Sequence, residues 1–270
     1  MMAHYTTPSG KVVKQPFNKI WIIVGVIGAL LFIFWQFIVF DPRFIRLEEL
    51  PILIKKIFTP RIERTWGDYF RYMLTLREPL MDTLKMSLAG SVIGSLLAIP
   101  LAILSARNIF KSKFVYIPSR FLMNLIRTIP VMILALVAVF FVGIGVLSGI
   151  IAIVLFTFGI MSKMLYEVIE TVDMSSYEAL ESTGANKIQA FRYAVVPQIL
   201  PIFISYLIYI FEINVRSSAI LGYVGAGGIG SVIKDNILYN YDRVGGAIIV
   251  MLITILIVQF ASNYVRGKLQ

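Results

Sequence analysis

The chain of 270 residues contains no cysteine and a single histidine. The lack of cysteine excludes disulfides, cysteine-ligated zinc, iron–sulfur clusters and thiol catalysis. Because the one histidine, His4, lies in a polar N-terminal stretch, a histidine-rich metal site and a serine–histidine–aspartate triad are disfavoured as well. Charged residues are also scarce at 15%, whereas soluble domains have about 25%. The sequence therefore argues against a soluble enzyme.

Apolar residues are abundant, at 58% of the chain, which argues against disorder. The net charge is +10, and in a soluble domain such a charge would suggest binding to nucleic acid. In a chain this apolar, membrane topology is the better explanation for the excess of lysine and arginine. We therefore expect membrane lipid, and no nucleic acid, around this protein.

Long uncharged runs predict an all-α integral membrane protein with six transmembrane helices. A span needs about 20 mostly apolar residues, and closed barrels would show alternation in place of continuous apolar runs. Glycines at 143, 145 and 149 divide the long run from 128 to 162 into two helices. The predicted spans are Ile20–Phe40, Met86–Ala106, about Phe121–Val142, about Leu147–Leu165, about Gln198–Ile213 and Val244–Val265.

Lysine and arginine near the span ends predict the orientation, with both termini in the cytoplasm of a cell (plasma or inner) membrane. Residues 1–19 would be a cytoplasmic tail and residues 20–40 an anchor. The anchor is longer than a signal-peptide core and lacks a small-residue cleavage site, so we expect it to be retained. A third segment, residues 41–79, would be an extracytoplasmic linker.

The linker conflicts with this orientation, because residues 41–78 hold eight lysine and arginine residues on the predicted outer side. Its first part, Arg43–Phe58, alternates apolar and charged residues at roughly helical spacing. One interpretation is an amphipathic helix lying at the outer membrane interface. A solvated loop is the alternative.

The segment between spans four and five predicts a helix–turn–helix elbow on the cytoplasmic face. Ser175 or Ser176 can cap a short helix, and Gly184 can end it in a left-handed conformation. A second helix would then carry Ile188, Phe191 and Val195 on one face, and the chain would enter the membrane near Pro197. These features predict a bend with small residues at its turn.

This elbow resembles the EAA loop of ABC importer permeases of the type I fold. The residues Glu178, Ala179, Gly184 and Pro197 fall at the family's positions, with Ala185 beside the glycine. Two positions depart mildly from the pattern. Leu180 stands where a second alanine is usual, and Ala194 where a larger aliphatic residue is usual.

Further stretches, at 82–108, 124–130 and 216–230, resemble the permeases of phosphonate-type importers, so the similarity covers roughly residues 80–265. The resemblance implies a permease domain over 80–265, with a coupling loop at about 172–197. It also implies three kinds of protein partner: two copies of an ATPase subunit docked on the elbows, an extracytoplasmic solute-binding protein, and a second permease copy, identical or a close paralogue. No cofactor is expected in this chain, because it has no Gly-x-x-x-x-Gly-Lys-Ser/Thr motif and ATP would be bound by the partner.

Charges predicted inside spans are costly and point to function. Glu212 and Arg216 are four residues apart, the spacing of a helical ion pair, and a stabilising pair is one interpretation. The other is that Arg216, Ser217 and Ser218 line an anion pathway, in which Glu212 keeps the arginine from binding the anion too tightly. Arg127 and Lys163 are interpreted as interfacial.

Residues 225–230 match Gly-x-Gly-x-x-Gly, yet a membrane helix precedes them and the expected acidic residue is missing, so a dinucleotide site is rejected. Gly225, Gly227 and Gly228 form either part of an outer gate or a packed turn.

Three other functions compete with phosphonate import. The same kind of permease could carry phosphite, phosphate or methionine. A membrane-embedded enzyme would need clustered catalytic groups, and the spans offer no histidine, cysteine or aspartate pair. A secondary transporter would need intramembrane acids for proton coupling, and among the predicted spans only Glu212 qualifies.

Overall fold

The computed structural model describes residues 4–6, 12–14, 19–37, 47–61 and 64–269. The chain divides into two units, Met1–Pro51 and Ile52–Gln270. The first unit contains a short antiparallel pair, β1 (His4–Thr6) and β2 (Val12–Lys14), followed by the apolar helix α1 (Lys19–Phe37). Helix α1 coincides with most of the predicted anchor, whose last residues, 38–40, lie outside the described residues. Its role as an anchor stays a prediction.

The predicted linker is helical over part of its length. A 3-10 turn at Leu47–Glu49 leads into α2 (Leu50–Phe58), so the helical interpretation is confirmed for this part and residues 43–46 lie outside the described residues. The part of α2 that belongs to the second unit also touches a later helix of that unit. A Cβ on Gly245 would lie 1.7 Å from the Ile57 carbonyl oxygen, so the backbones meet there. The amphipathic segment therefore packs on protein at its C-terminal end.

The remaining helices belong to the second unit. They are α3 (Trp66–Thr75), α4 (Arg77–Ser105), α5 (Lys113–Thr128), α6 (Val131–Val142), α7 (Val146–Thr171), α8 (Ser175–Ser182), α9 (Lys187–Ala190), α10 (Val196–Tyr223), α11 (Ile229–Asn236) and α12 (Tyr241–Leu269). Among the described residues, four helical segments are long and apolar enough to cross a membrane: Trp66–Ser105, Val146–Thr171, Lys187–Tyr223 and Tyr241–Leu269. These segments contain predicted spans two, four, five and six, while the total of six stays a prediction.

Predicted span three is not one straight helix. Helices α5 and α6 meet at an angle of 87°, so the prediction of a continuous helix over about Phe121–Val142 is wrong. The cause is Pro130, because a residue that precedes proline is pushed out of the helical region. Ile129 accordingly has an extended backbone, with φ −81° and ψ 120°.

Predicted span five is longer than the sequence indicated. Helix α10 continues for ten residues beyond Ile213, through the polar stretch that ends the apolar run. Local hydrogen bonding makes this possible, since the Ser218 hydroxyl donates to the Val215 carbonyl oxygen at 2.7 Å. Glu212 and Arg216 form an ion pair on the same helix.

The centre of the second unit is the contact between α4 and α7, where two glycines on α4 let the helices approach closely. A Cβ on Gly90 would lie 2.4 Å from Ile153 Cγ2, and one on Gly94 would lie 2.7 Å from the Val154 carbonyl oxygen. Two small residues four positions apart are a common device for helix packing in membranes, because apolar lipid provides no hydrophobic driving force. The α4–α7 contact therefore depends on the absence of side chains at these two positions.

A buried amide joins α10 to the same contact. Asn214 Nδ2 donates to Ser91 Oγ of α4 at 2.8 Å and to Thr157 Oγ1 of α7 at 2.9 Å, and all three side chains are fully buried. Such bonds between membrane helices contribute about 0.6 kcal/mol each on average. They also fix the relative register of the three helices, because the donors and acceptors can meet in few positions.

Substitution of Gly94 by alanine should destabilise the protein. The added Cβ would meet the Val154 carbonyl oxygen and Thr157, and overpacking of this kind costs about 1–3 kcal/mol. Thermal unfolding of the purified full-length chain in detergent measures the effect. Gly267→Ala is the control, because a Cβ there meets no atom within 4 Å. Equal melting temperatures for the two variants would contradict the proposed role of the close contact.

Candidate functional site

The elbow begins with α8, whose first turn is held by an aspartate. Asp173 Oδ1 accepts hydrogen bonds from the Ser175 hydroxyl at 2.7 Å and from the Ser175 backbone N–H at 2.9 Å. These bonds stabilise the carboxylate and lower the pKa of Asp173. The prediction that Ser175 or Ser176 caps the helix by accepting a bond is therefore wrong. Ser175 is the donor, and the acceptor lies two residues earlier.

Gly184 ends α8 in the left-handed region, as predicted, with φ +94°. The Gly184 N–H donates to the Glu181 carbonyl at 3.0 Å, and the Ala185 N–H donates to the Leu180 carbonyl at 3.1 Å. This pair of bonds is the Schellman motif, which satisfies carbonyls that a helix end would otherwise leave unpaired. Two residues later, Asn186 and Gln189 form a capping box that starts α9. The bend is thus specified by backbone hydrogen bonds on both sides.

The residues that carry the family resemblance are accessible on the elbow. Glu178, Ala179 and Gly184 are exposed, Ala185 is half-buried, and Pro197 is exposed in the first turn of α10. Their exposure leaves this surface free to contact another protein.

The prediction of one shared apolar face after the bend is only partly correct. Val195 is fully buried and Phe191 is half-buried, but the Ile188 side chain is 80% exposed. Residues Phe191–Val195 form a π-helical turn, which rotates the residues that follow it relative to an α-helix. Ile188 precedes this turn, and its exposure adds an apolar side chain to the surface of the elbow.

A groove of about 790 Å³ runs between the elbow and the connection from α4 to α5. Phe110 and Lys111 line it from the connection, and Tyr177, Glu181, Ile188 and Phe191 line it from the elbow. The Tyr177 hydroxyl donates to Glu181 Oε1 at 3.2 Å. Burial and this bond raise the pKa of Tyr177.

A charged cluster that the sequence analysis missed holds the base of the elbow. Glu170, near the end of α7, accepts from the Arg107 backbone N–H at 2.8 Å and forms an ion pair with Arg120 of α5. Arg120 also donates twice to the Ser105 carbonyl at the end of α4, and its guanidinium lies 4.4 Å from the centroid of the Tyr166 ring. Three helices are therefore joined immediately before the chain enters α8.

The two charges predicted within span five are paired, and a third charge joins them. Arg216 Nη2 donates to Glu212 Oε1, which confirms the predicted ion pair. Arg266, near the end of α12, places Nη2 3.6 Å from Glu212 Oε2. The Glu212 side chain is 7% exposed, whereas that of Arg216 is 47% exposed. One buried carboxylate thus lies between two guanidinium groups, of which one is accessible.

The proposed anion pathway is not gathered on one face of α10. Arg216 is exposed and Ser217 is half-buried, but Ser218 is fully buried and bonded to its own helix. Of this trio, Arg216 has the accessible charge. Its role in a pathway stays a prediction.

Residues 225–230 form a packed turn in this chain. Gly225, Gly227 and Gly228 have φ of +100°, +78° and +71°, and Gly225 accepts a hydrogen bond from the Gly145 N–H at 3.0 Å. The Ile229 N–H donates to the Thr83 hydroxyl of α4 at 2.9 Å. The geometry favours the packed-turn interpretation, and the gating role stays a prediction.

Of the two remaining charges, one lies at a helix end and the other lies inside α7. Arg127 is exposed in the last turn of α5, beside the bend at Pro130. Lys163 forms an ion pair with Glu167 at 3.4 Å. Among the described residues, no three histidine, aspartate or glutamate side chains converge in a way that could hold a metal ion.

Comparison with known proteins identifies relatives among transport proteins. The chain is 37% identical over 186 residues to the putative phosphite transport system permease protein HtxC of Stutzerimonas stutzeri, covering 68% of this chain and 66% of HtxC. It is 33% identical over 189 residues to the phosphate-import permease protein PhnE of Mycolicibacterium smegmatis, covering 70% of this chain and 36% of PhnE. The aligned part is thus just under two thirds of HtxC and about a third of PhnE.

The fold also has a counterpart among solved structures. A chain of the MetNI methionine ABC transporter in an inward-facing conformation superposes with a TM-score of 0.66, covering 73% of this chain and 97% of that one. The identity is 23%, so this likeness concerns the fold alone. Residues 98–269 match the family described as "Binding-protein-dependent transport system inner membrane component". The chain therefore belongs to this family, the multi-pass membrane permeases of ABC importers.

Proposed function

We propose that this chain forms the membrane pathway for phosphonate or a related phosphorus oxyanion. HtxC and PhnE are named for phosphite and phosphate, and these anions share a tetrahedral phosphorus centre with phosphonates. Two copies would enclose the pathway, and a solute-binding protein would deliver solute from outside. Both termini and the elbow would face the cytoplasm, as the lysine and arginine residues near the span ends indicate.

The exposed elbow is the single observation that carries the transport mechanism. Its bend is fixed by the hydrogen bonds around Gly184, and its exposed surface includes Glu178, Ala179 and Ile188. We infer that one ATPase subunit docks on each elbow. ATP would be bound by that subunit, since this sequence has no phosphate-binding loop.

The ion pairs at the elbow's base supply a route for coupling. Because Glu170 joins the end of α7 to Arg107 and Arg120, displacement of the elbow would move the ends of α4, α5 and α7 together. Closure of the two ATPase subunits would then rock these helices and change the side of the membrane from which the pathway is open.

The Gly184→Asp variant should insert into the membrane but lose transport. A side chain at φ +94° costs about 1–2 kcal/mol, and the new carboxylate would lie in the same turn as Glu181. Co-purification of the ATPase subunit with the tagged permease should fall at least about tenfold. Gly267→Asp is the control, because it adds the same charge where a Cβ meets no atom within 4 Å. Undiminished co-purification and uptake in Gly184→Asp would overturn the coupling assignment.

Arg216 is the residue that we propose to contact the anion. A half-exposed guanidinium within a span is costly unless it faces a water-filled cavity or a protein partner. An arginine side chain can donate two parallel hydrogen bonds to a phosphonate or phosphate group. Glu212, already paired with Arg216, would compete with the solute and so prevent the anion from binding too tightly.

The Arg216→Gln variant should therefore reduce oxyanion uptake while the chain remains folded. Glu212 would keep Arg266 as a partner, so the substitution does not leave an isolated buried charge. Loss of a hydrogen bond to a charged group costs about 1.5–3 kcal/mol, which corresponds to a decrease in uptake efficiency of at least about tenfold. Lys163→Gln, which removes a cation of α7 that is paired with Glu167, is the control. Unchanged uptake kinetics in Arg216→Gln at normal membrane levels would remove Arg216 from the pathway.

The solute itself can be identified by uptake in cells that lack their own oxyanion transporters. The chain would be produced together with its ATPase and binding-protein partners, and uptake of labelled phosphite would be measured with competing methylphosphonate, phosphate or methionine. We expect phosphonate or another phosphorus oxyanion to compete and methionine to have no effect. Competition by methionine alone would contradict the proposed solute class.

A further inference from the structure

A cleft of about 220 Å³ lies where the start of α3 meets the start of α12, in the part of the chain that the lysine and arginine distribution assigns to the outer side. Its lining residues are Arg64, Asp68, Tyr69, Tyr72, Asp242 and Arg243. The uncharged run of α12 begins at Val244, directly after the cleft residues Asp242 and Arg243. The cleft is therefore at the boundary between the hydrocarbon core and water.

The charges around the cleft are of both signs and cancel. Arg64 Nη1 donates to Asp242 Oδ2 at 2.7 Å, and Asp242 is 5% exposed. The guanidinium of Arg243 lies 5.3 Å from the centroid of the Tyr72 ring, and Asp68 lies in the first turn of α3. Two cations and two carboxylates favour a ligand that carries both charges over a simple anion.

Two phenol groups in the cleft lack hydrogen-bond partners among the described residues. Tyr69 is 4% exposed, and its hydroxyl and that of Tyr72 are buried without a hydrogen bond to any described residue. Buried hydroxyls in folded proteins are nearly always hydrogen-bonded, so each such group requires an explanation. A ligand with several acceptor oxygens would satisfy both phenols, and a phosphoryl group has such oxygens.

The outer face of α3 is suited to lipid. Trp66, Phe70 and Leu74 are four residues apart and are 55%, 58% and 75% exposed, so they form one apolar stripe beside the cleft. Tryptophan is enriched where membrane helices meet the interface. Acyl chains lying against this stripe would place a lipid headgroup at the level of the cleft.

We propose that this cleft binds the zwitterionic headgroup of a phospholipid, in which a short linker separates a phosphoryl group from a primary ammonium. Arg64, Arg243 and the two phenols would donate to the phosphoryl oxygens. Asp68 and Asp242 would accept from the ammonium group. Free phosphoethanolamine has the same chemistry, but the apolar stripe of α3 favours the lipid as the source.

This site also accounts for one basic residue that conflicts with the lysine and arginine distribution. Arg64 lies in the linker on the predicted outer side, where arginine is disfavoured, yet it is paired with Asp242 across 178 residues of sequence. A bound headgroup would stabilise that pair and hold the start of α3 against α12.

Native mass spectrometry of the full-length chain in detergent tests the proposal. The protein would be titrated with dihexanoyl phosphatidylethanolamine, with dihexanoyl phosphatidylglycerol and with free phosphoethanolamine. We expect the ethanolamine lipid to bind most tightly, the anionic lipid at least about tenfold more weakly, and the free headgroup not to bind in the same concentration range. In Tyr69→Phe, which keeps the ring and removes the hydroxyl, the ethanolamine lipid should bind about tenfold more weakly.

The control variant is Tyr239→Phe, which removes an exposed hydroxyl outside the cleft and should bind the lipid like the unaltered chain. Equal binding of the anionic lipid would show a simple anion site and overturn the proposal. Binding of free phosphoethanolamine at the lipid's concentrations would assign the cleft to a soluble ligand and reject the lipid. Unaltered lipid binding in Tyr69→Phe, or no binding of any of the three, would show that the cleft holds no headgroup.

Discussion

The close contact between α4 and α7 is the constraint on which the rest of this structure depends. In lipid, helices gain little by burying apolar side chains against each other, so association relies on close packing and interhelical hydrogen bonds. Gly90 and Gly94 allow the close packing. Asn214 provides interhelical hydrogen bonds to Ser91 and Thr157. With α4, α7 and α10 fixed in register, the elbow that joins α7 to α10 extends from a rigid base.

That rigidity is continued to the elbow by charge. Glu170 forms its ion pair with Arg120 near the end of α7, just before Asp173 begins α8. On the other side of the bend, Gln198 Nε2 donates to the Asp173 carbonyl at 3.2 Å, which joins the start of α10 to the end of α7. Both sides of the elbow are therefore attached to the same base, and a force on the exposed turn would move α7 and α10 together.

The sequence predicted those features whose causes are local. Continuous apolar runs located the spanning helices, and Gly184 located the bend, because hydropathy and left-handed geometry are properties of single residues and their neighbours. The break before Pro130 had a local signal as well, in the residue that precedes the proline, but the length of the apolar run outweighed it. Helix boundaries were less accurate, since the polar end of α10 is stabilised by Ser218 and by the pair of Glu212 with Arg216.

Contacts between distant parts of the chain had no such signal. Arg266 directly follows the sixth predicted span, and its approach to Glu212 depends on how α12 packs against α10. The exposure of Ile188 depends on how α9 packs, and no periodicity indicated the π-helical turn that follows it. The pairs of Arg120 with Glu170 and of Arg64 with Asp242 likewise join helices that only the tertiary fold brings together.

These pairs share a physical logic that bears on function. The chain carries an excess of cations, and the half-buried Glu170 and the buried Glu212 and Asp242 each neutralise an arginine from another helix or turn. Breaking a buried pair is costly, because the remaining charge stays in a medium of low polarity. The arginine side chains in the pairs between helices are therefore less exposed than that of Arg216, which remains 47% exposed although it has a partner. Because the guanidinium of Arg216 is accessible, it does not need its charge partner for solvation. An arriving anion can therefore bind it.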